Sequence, residues 1–401
     1  MMIPPSGSDS DVVADDPRAL LRPWLRTIDP YSAIESPEQV AQRYALDVSS
    51  VVKLDGNENP YGAVPAAIEA LRGVDVHRYP DPEQRRLREA LGDYLGVPPA
   101  AVIAGAGADE LIDLVVRCVV EPGDRVVLAT PTFGMYAFDA EQAGARLVEV
   151  PRGDDWEIDE RTLLAEARRA KLVVLASPNN PTGDVVPRML IDTLLESGAL
   201  LLLDEAYVEF VHDSSFSSPS RVTEAAAGAP LVVLRTFSKW AGLAGLRVGY
   251  AALPPALAET LMVVKQPYSV NVAAEAAALA SLEAHELLDE RACALVAERE
   301  RMAAALEATG WLHVHPSEAN FVLVEVVLPS GTGTSTPEEA GRALWEALRR
   351  RGVLVRYFAD PRLSQHVRIS VGRPEETDAL LAALNEVAVA GDLVRTGGDE
   401  Q

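Results

Sequence analysis

Short apolar runs alternate with helix-periodic stretches along most of this chain. The runs are Ala101–Ala104, Val126–Ala129, Arg146–Val150, Lys171–Ala176, Ala199–Leu203, Leu231–Leu234 and Val248–Ala252. They are too continuous for strands wetted on one face, and they predict a mainly parallel seven-stranded sheet with helices on both faces. The alanine-rich stretch from Asn271 to Thr309, with Asn271 as cap and Gly310 as stop, predicts a long helix joining two domains. Beyond it, Phe321–Val326, Val353–Phe358 and Val367–Val371 read as strands around helices near 337–351 and 374–389. The fold class is therefore α/β, with a smaller α+β domain following the large one.

The same pass divides the chain. Residues 1–17 are acidic and proline-broken and read as a disordered tail, and residues 392–401 read as equally loose. Residues 18–55 are expected to pack with the small domain, 56–290 to form the large domain, and 291–391 the small one. The segment Leu328–Thr336 reads as a surface connection.

Composition narrows the function classes. A chain of 401 residues, 48% hydrophobic, is long enough for two or three domains with a real core. Its net charge of −24 argues against nucleic acid and anionic membranes as partners. Two cysteines, Cys118 and Cys293, lie in apolar helical sequence and form no CxxC, so buried free thiols in a reducing compartment are expected. Six scattered histidines show no metal-ligand spacing, and no metal is expected. No apolar run reaches the roughly 18–20 residues of a membrane span, and the N-terminus lacks a basic and apolar leader pattern. A soluble cytoplasmic protein is the expectation.

The candidate chemistry sits just past three successive strands. Asn180 lies in Ser177-Pro-Asn-Asn180-Pro-Thr-Gly183, Asp204 and Tyr207 in Leu203-Asp204-Glu-Ala-Tyr207, and Lys239 in Arg235-Thr236-Phe-Ser238-Lys239, with Arg247 eight residues on. Alone, such a lysine is a solvated charge and NPTG is a turn. Together they place an amide, a carboxylate, a phenol, an amine and a guanidinium where parallel sheets bind ligands. That set suits pyridoxal phosphate: an amine for a Schiff base, a carboxylate to keep the ring nitrogen protonated, donors for the ring oxygen, and a guanidinium fork for the phosphate. A carboxylate after five aliphatic residues is costly to bury without a partner, which favours the same reading. Gly105-Ala-Gly107-Ala108-Asp109-Glu110 follows a strand and opens a helix, offering backbone N–H groups to an anion. A dinucleotide fingerprint is the rival reading there. It lacks the third glycine, and the next strand ends in Thr130-Pro131 rather than an acid.

The three segments, in this order, resemble the aspartate-aminotransferase-like enzymes of fold type I. Lys53-Leu-Asp-Gly-Asn57-Glu-Asn-Pro-Tyr-Gly62, Arg78-Tyr79-Pro-Asp-Pro82, Pro131-Thr-Phe133-Gly-Met-Tyr136 and Val367-Arg368-Ile-Ser-Val-Gly372 resemble histidinol-phosphate aminotransferases in particular. The resemblance runs from about Tyr31 to Asn385 and is more specific for the family than for the substrate.

The resemblance implies that Lys239 is the Schiff-base lysine, Asp204 the pyridinium partner, and Asn180 and Tyr207 the donors to the 3-oxygen. It assigns the cofactor phosphate to Thr236, Ser238, Arg247 and the backbone of Ala108 and Asp109, with Phe133 stacked on the ring where the family commonly has tyrosine. Tyr79 would reach the phosphate of the neighbouring subunit's site, implying a homodimer. Tyr31, Asn57, Asn180, Arg356 and Arg368 would bind substrate, the arginines reading a phosphate or the carboxylate of glutamate. The implied reaction converts L-histidinol phosphate and 2-oxoglutarate to imidazole acetol phosphate and L-glutamate. A decarboxylase resembling the threonine-phosphate decarboxylases and an aromatic or specialised-metabolite aminotransferase are the alternatives. A transcription regulator reusing the fold is disfavoured by the charge and by the lack of a basic helix-turn-helix extension.

Overall fold

The computed structural model describes residues 17–27, 34–212, 220–327 and 337–390. The expected tails therefore lie outside the described residues, Pro17 apart, as do Tyr31 and the Leu328–Thr336 connection. The strands in chain order are β1 (Val52–Leu54), β2 (Val102–Gly105), β3 (Arg125–Thr130), β4 (Arg146–Pro151), β5 (Leu172–Ala176) and β6 (Leu200–Asp204). They continue with β7 (Leu231–Thr236), β8 (Gly249–Ala252), β9 (Leu312–Val314), β10 (Phe321–Val326), β11 (Val353–Tyr357) and β12 (His366–Ser370).

Seven strands form one sheet in the order β2-β8-β7-β6-β5-β3-β4. β8 alone runs against its neighbours, pairing antiparallel with β2 and β7, while β3 to β7 pair in parallel. The unbroken apolar runs have a direct cause. Val126, Leu128, Val174, Leu202 and Val232 belong to the core on one face, and Val127, Val173, Leu175, Leu201 and Val233 to the core on the other. Side chains alternate faces along a strand, so burial on both faces removes every polar position.

The second sheet has five strands in the order β1-β11-β12-β10-β9. Here one face is apolar: Val322, Val324, Val353, Val355, Val367 and Ile369 join a core with Leu344, Leu348, Leu380 and Leu384 of the helices Pro337–Arg350 and Pro374–Ala390. The alternate positions, among them Arg356, His366, Arg368 and Ser370, therefore take the opposite face. β1 places residues 52–54 at the edge of this sheet, parallel to β11. Residues 17–27 go elsewhere: the Trp24 indole donates to the Gln142 carbonyl at 3.1 Å, and its ring lies against Gly144.

The stretch Asn271–Thr309 does include a long helix, His285–Glu307, preceded by a shorter one, Val272–Glu283. Asn271 caps the shorter helix, its side chain accepting from the Ala274 N–H at 2.9 Å. Ala284 breaks the run at φ −104 and ψ 24. The His285 ring nitrogen lies 3.0 Å from the Leu282 carbonyl, an acceptor that a continuing helix would bond to its own backbone. The long helix runs unbroken through residue 290, the expected end of the large domain.

Both cysteines are free, but neither is buried: Cys118 and Cys293 are exposed. Leu114, Val115 and Val116 in one helix, and Ala292, Leu295 and Val296 in the other, take the inward positions instead. Among the described residues no helix is long and apolar enough to cross a membrane.

Candidate active site

The carboxyl ends of β5, β6 and β7 open on a cavity of about 800 Å³, closed on its far side by β11, β12 and the segment after β1. Thirteen of the fifteen site residues expected from sequence line it: Asn57, Ala108, Asp109, Phe133, Asn180, Asp204, Tyr207, Thr236, Ser238, Lys239, Arg247, Arg356 and Arg368. Tyr31 lies outside the described residues. Tyr79 lies away from the cavity, 82% exposed and stacked on Tyr268 at 4.7 Å between ring centroids.

Asp204 ends β6 with its backbone opposite Ala176 on one side and Leu234 on the other. Its carboxylate is buried, accepting from the Tyr136 hydroxyl at 2.7 Å and from the Ala206 N–H at 2.9 Å. Burial raises its pKa to about 6, against the opposing pull of the Tyr136 hydrogen bond. Both donors are neutral, and among the described residues Asp204 makes no salt bridge, so this anion lacks a positive charge on the cavity side. Its neighbour Glu205 turns the other way and meets Arg235 at 3.1 Å, a pair buried behind the site.

Lys239 follows β7 through a turn in which the Ser238 N–H donates to Thr236 Oγ1 at 3.0 Å. Its Nζ donates to the Gly56 carbonyl at 2.9 Å and lies 5.9 Å from the centroid of the Tyr207 ring. Burial, with a smaller contribution from the nearby Arg368 charge, lowers its pKa to about 8. An amine in that state is accessible as a nucleophile and as a base near neutral pH.

The first helix after β2, Gly107–Val119, points its N-terminus at the cavity. Gly107 has φ +81, and a Cβ there would meet Arg247 Nη2 at 2.5 Å. A Cβ on Gly249 of β8 would meet the Ala108 nitrogen at 2.5 Å. Gly107 lets the guanidinium approach the helix end, and Gly249 lets β8 lie against it. Arg247, itself at φ 53, also meets the Asp109 carboxylate at 2.8 Å. The resulting cradle of N–H groups, Ser238 and Arg247 suits a phosphate.

The third wall joins both sheets. Arg368 donates to Asn180 Oδ1 and to the Asp55 carbonyl, each at 2.6 Å. Asn57, at φ 53 and buried, donates through Nδ2 to the Tyr207 oxygen at 3.0 Å. Ser370 and Asn320 lock Asn57 in turn, the first bonding its side chain and N–H at 2.8 Å, the second its carbonyl at 3.1 Å. Sequence reasoning gave no role to Tyr136, Gly56, Asn320 or Ser370. Tyr136 stood inside a quoted motif, and a buried tyrosine needs a partner for its hydroxyl, but only the fold says which.

The donor set fits pyridoxal phosphate. A buried, cation-less carboxylate suits a protonated ring nitrogen, the cradle suits the phosphate, and a poised amine lies between them. Phe133 also lines the cavity, its ring edge-on to Tyr136 at 5.5 Å.

Comparison with known proteins agrees. The family model described as aminotransferase class I and II matches residues 49–384. A histidinol-phosphate aminotransferase of Roseiflexus castenholzii is 49% identical over 381 residues, covering 92% of this chain and 98% of that protein. The chloroplastic histidinol-phosphate aminotransferase of Nicotiana tabacum is 43% identical, covering 91% of this chain and 86% of its own. Among solved structures, histidinol-phosphate aminotransferase from Sinorhizobium meliloti in complex with pyridoxal-5'-phosphate superposes with a TM-score of 0.82 at 30% identity, over 92% of this chain and 98% of that one. The chain belongs to the class I and II aminotransferases and, within them, to the histidinol-phosphate aminotransferase family.

Proposed function

We propose that this chain transfers the amino group of L-histidinol phosphate to 2-oxoglutarate, giving imidazole acetol phosphate and L-glutamate, as a cytoplasmic homodimer serving histidine biosynthesis. One observation carries the substrate assignment. Arg356 and Arg368, directly paired across β11 and β12, both line the cavity that holds Lys239 and Asp204. A pair of guanidiniums suits a doubly charged phosphate better than a neutral side chain. The names and identities of the relatives support the same reading over the decarboxylase and aromatic alternatives.

Pyridoxal 5'-phosphate, the cofactor, supplies an aldehyde that links to amines and a ring that accepts electrons while its nitrogen is protonated. Asp204 would keep that nitrogen protonated, and Tyr136 holds the carboxylate in place. Asn180 and Tyr207 would donate to the ring 3-oxygen. Arg368 on Oδ1 fixes the amide of Asn180, so that its Nδ2 would be the group left to donate, and Asn57 positions Tyr207. Arg247, Ser238, Thr236 and the N–H groups of Ala108 and Asp109 would hold the phosphate, and Phe133 would pack on the ring. Lys239 anchors the resting cofactor. Its Nζ, held at the Gly56 carbonyl, would act as the base that takes a proton from the substrate Cα and gives it back. Tyr31, Arg356 and Arg368 bind the substrate phosphate, and Arg368 alternately binds the carboxylate of glutamate. Tyr79 completes the phosphate site of the second subunit.

Single-turnover mixing tests this. With no keto acid present, L-histidinol phosphate should convert the cofactor spectrum to its amino form once per site and release one imidazole acetol phosphate. Persistence of the starting spectrum with this amine would remove the substrate assignment.

A further inference from the structure

Three of the six histidines, the near neighbours His313 and His315 and the distant His366, meet on the small sheet. His313 in β9 stands opposite Glu325 in β10, and Glu325 stands opposite His366 in β12. His315 follows two residues after His313 and so turns to the same face. The Nε2 atoms of His315 and His366 are 3.3 Å apart. One potential ligand atom from each of His315, Glu325 and His366 lies within 4.8 Å of the others.

We propose that this face binds one divalent transition-metal ion of the zinc class, held by His315, His366 and Glu325.

The spacing is the first reason. Two nitrogens on a tetrahedral ion at about 2.0–2.1 Å stand roughly 3.3–3.4 Å apart, which is the separation of the two rings here. Composition is the second, since two imidazoles and a carboxylate form an established zinc donor set. A simple imidazole–imidazole hydrogen bond would account for the ring pair alone. It leaves Glu325, whose side chain makes no hydrogen bond or ion pair among the described residues, directed at that pair without a function. His366 is buried, with 7% exposure, so packing fixes its ring with Nε2 toward His315. A water or His313, now 3.1 Å from Glu307, takes the fourth position.

The place gives the ion a task. Arg368 lies two residues from His366 on the same strand face, and Leu323 lies between Phe321 and Glu325 on the facing strand. Trp156, from the loop after β4, sets its ring edge-on to both histidines at 5.8 and 5.3 Å. The ion would fasten β10 and β12 beside that loop and thereby steady the strand that carries Arg368. It takes no part in the chemistry at Lys239.

The test uses untagged, cofactor-loaded enzyme stripped with a chelator and then titrated with Zn(II) by calorimetry and with Co(II) by absorption. One ion should bind per chain, Co(II) should give intense visible bands to the red of the cofactor, and Zn(II) should raise the melting temperature. His315→Ala and Glu325→Gln should weaken binding by at least the 10–100-fold that loss of even an outer partner costs, with His77→Ala unchanged. His315 is partly exposed, so its variant decides the matter should His366→Ala not fold. Absence of binding, or equal affinity in wild type and His315→Ala, overturns the proposal.

Discussion

Arg356 and Arg368 face each other directly across the antiparallel pair β11–β12. Like charges in that relation destabilise a sheet unless something between them is negative. Each guanidinium also lies near the Phe358 ring, at 5.6 and 5.7 Å, so the pair is braced by one aromatic. Arg368 is further tied to Asn180 and Asp55, whereas Arg356 reaches the cavity from the neighbouring strand. A bound dianion would offset the repulsion of two facing cations.

Arg356→Ala should therefore separate phosphorylated from unphosphorylated amines. A charge-assisted hydrogen bond contributes about 1.5–3 kcal/mol, so kcat/KM for histidinol phosphate should fall roughly 10- to 150-fold more than for histidinol. Glutamate should depend mainly on Arg368. Steady-state kinetics with both amines decide this, and equal losses would make Arg356 structural.

Asp204→Asn addresses the ring partner and has a pH signature. In the folded apoenzyme burial raises this carboxyl to about 6, above its unfolded value. The folded state thus holds the proton more tightly, and the stability contributed by that group is full below the unfolded pKa and lost as pH rises through about 6. The apo variant should melt higher than apo wild type at about pH 8, by an amount that shrinks on acidification. Cofactor should then stabilise wild type more than the variant, and transamination should fall by several kcal/mol in barrier, at about 1.4 kcal/mol per tenfold. A variant that melts below apo wild type at the higher pH, or turns over normally, contradicts the assignment.

Gly107→Ala tests the phosphate cradle. A methyl group there would sit 2.5 Å from Arg247 Nη2 on a backbone at φ +81. The arginine must move, so cofactor affinity should drop at least about tenfold, the equivalent of one lost charge-assisted bond. Fold should persist, since the residue opens a helix at the cavity wall. Dialysis against cofactor-free buffer measures the effect; retention equal to wild type would show that Arg247 can yield without loss.

Tyr79→Ala mixed with Lys239→Ala tests whether the site is shared. Each homodimer should be impaired, but a mixed dimer contains one site with Lys239 and Tyr79 both intact. Activity should reappear on refolding the two together. No recovery, with mixed dimers demonstrated by native mass spectrometry, would place Tyr79 outside the partner's site.

The parts of this molecule that could be read in the sequence are local. Burial on both faces left the strands of the large sheet as unbroken apolar runs, and Lys239 and Arg247 are close enough in sequence to be seen together. Contacts made by folding were invisible. Tyr136 reaches Asp204 across 68 positions, Lys239 reaches Gly56 across 183, and Asn57 reaches Ser370 across 313. The break at Ala284 lay hidden in an alanine-rich run that offers no stop signal. The same alanine-rich composition blurred the helical periodicity that turns Cys293 outward, whereas Cys118 follows exposed Arg117 at the edge of a clear apolar stripe. His366 on β12 became a neighbour of His313 and His315 only through strand order.

The most direct measurement offers purified, cofactor-loaded enzyme L-histidinol phosphate, histidinol, aromatic amino acids and O-phosphothreonine, each with 2-oxoglutarate, and records glutamate and carbon dioxide together. Histidinol phosphate should give glutamate in equal amount to imidazole acetol phosphate, at a kcat/KM far above every other amine, with no carbon dioxide. Carbon dioxide from phosphothreonine without glutamate, or a preference for an unphosphorylated amine, would contradict the account.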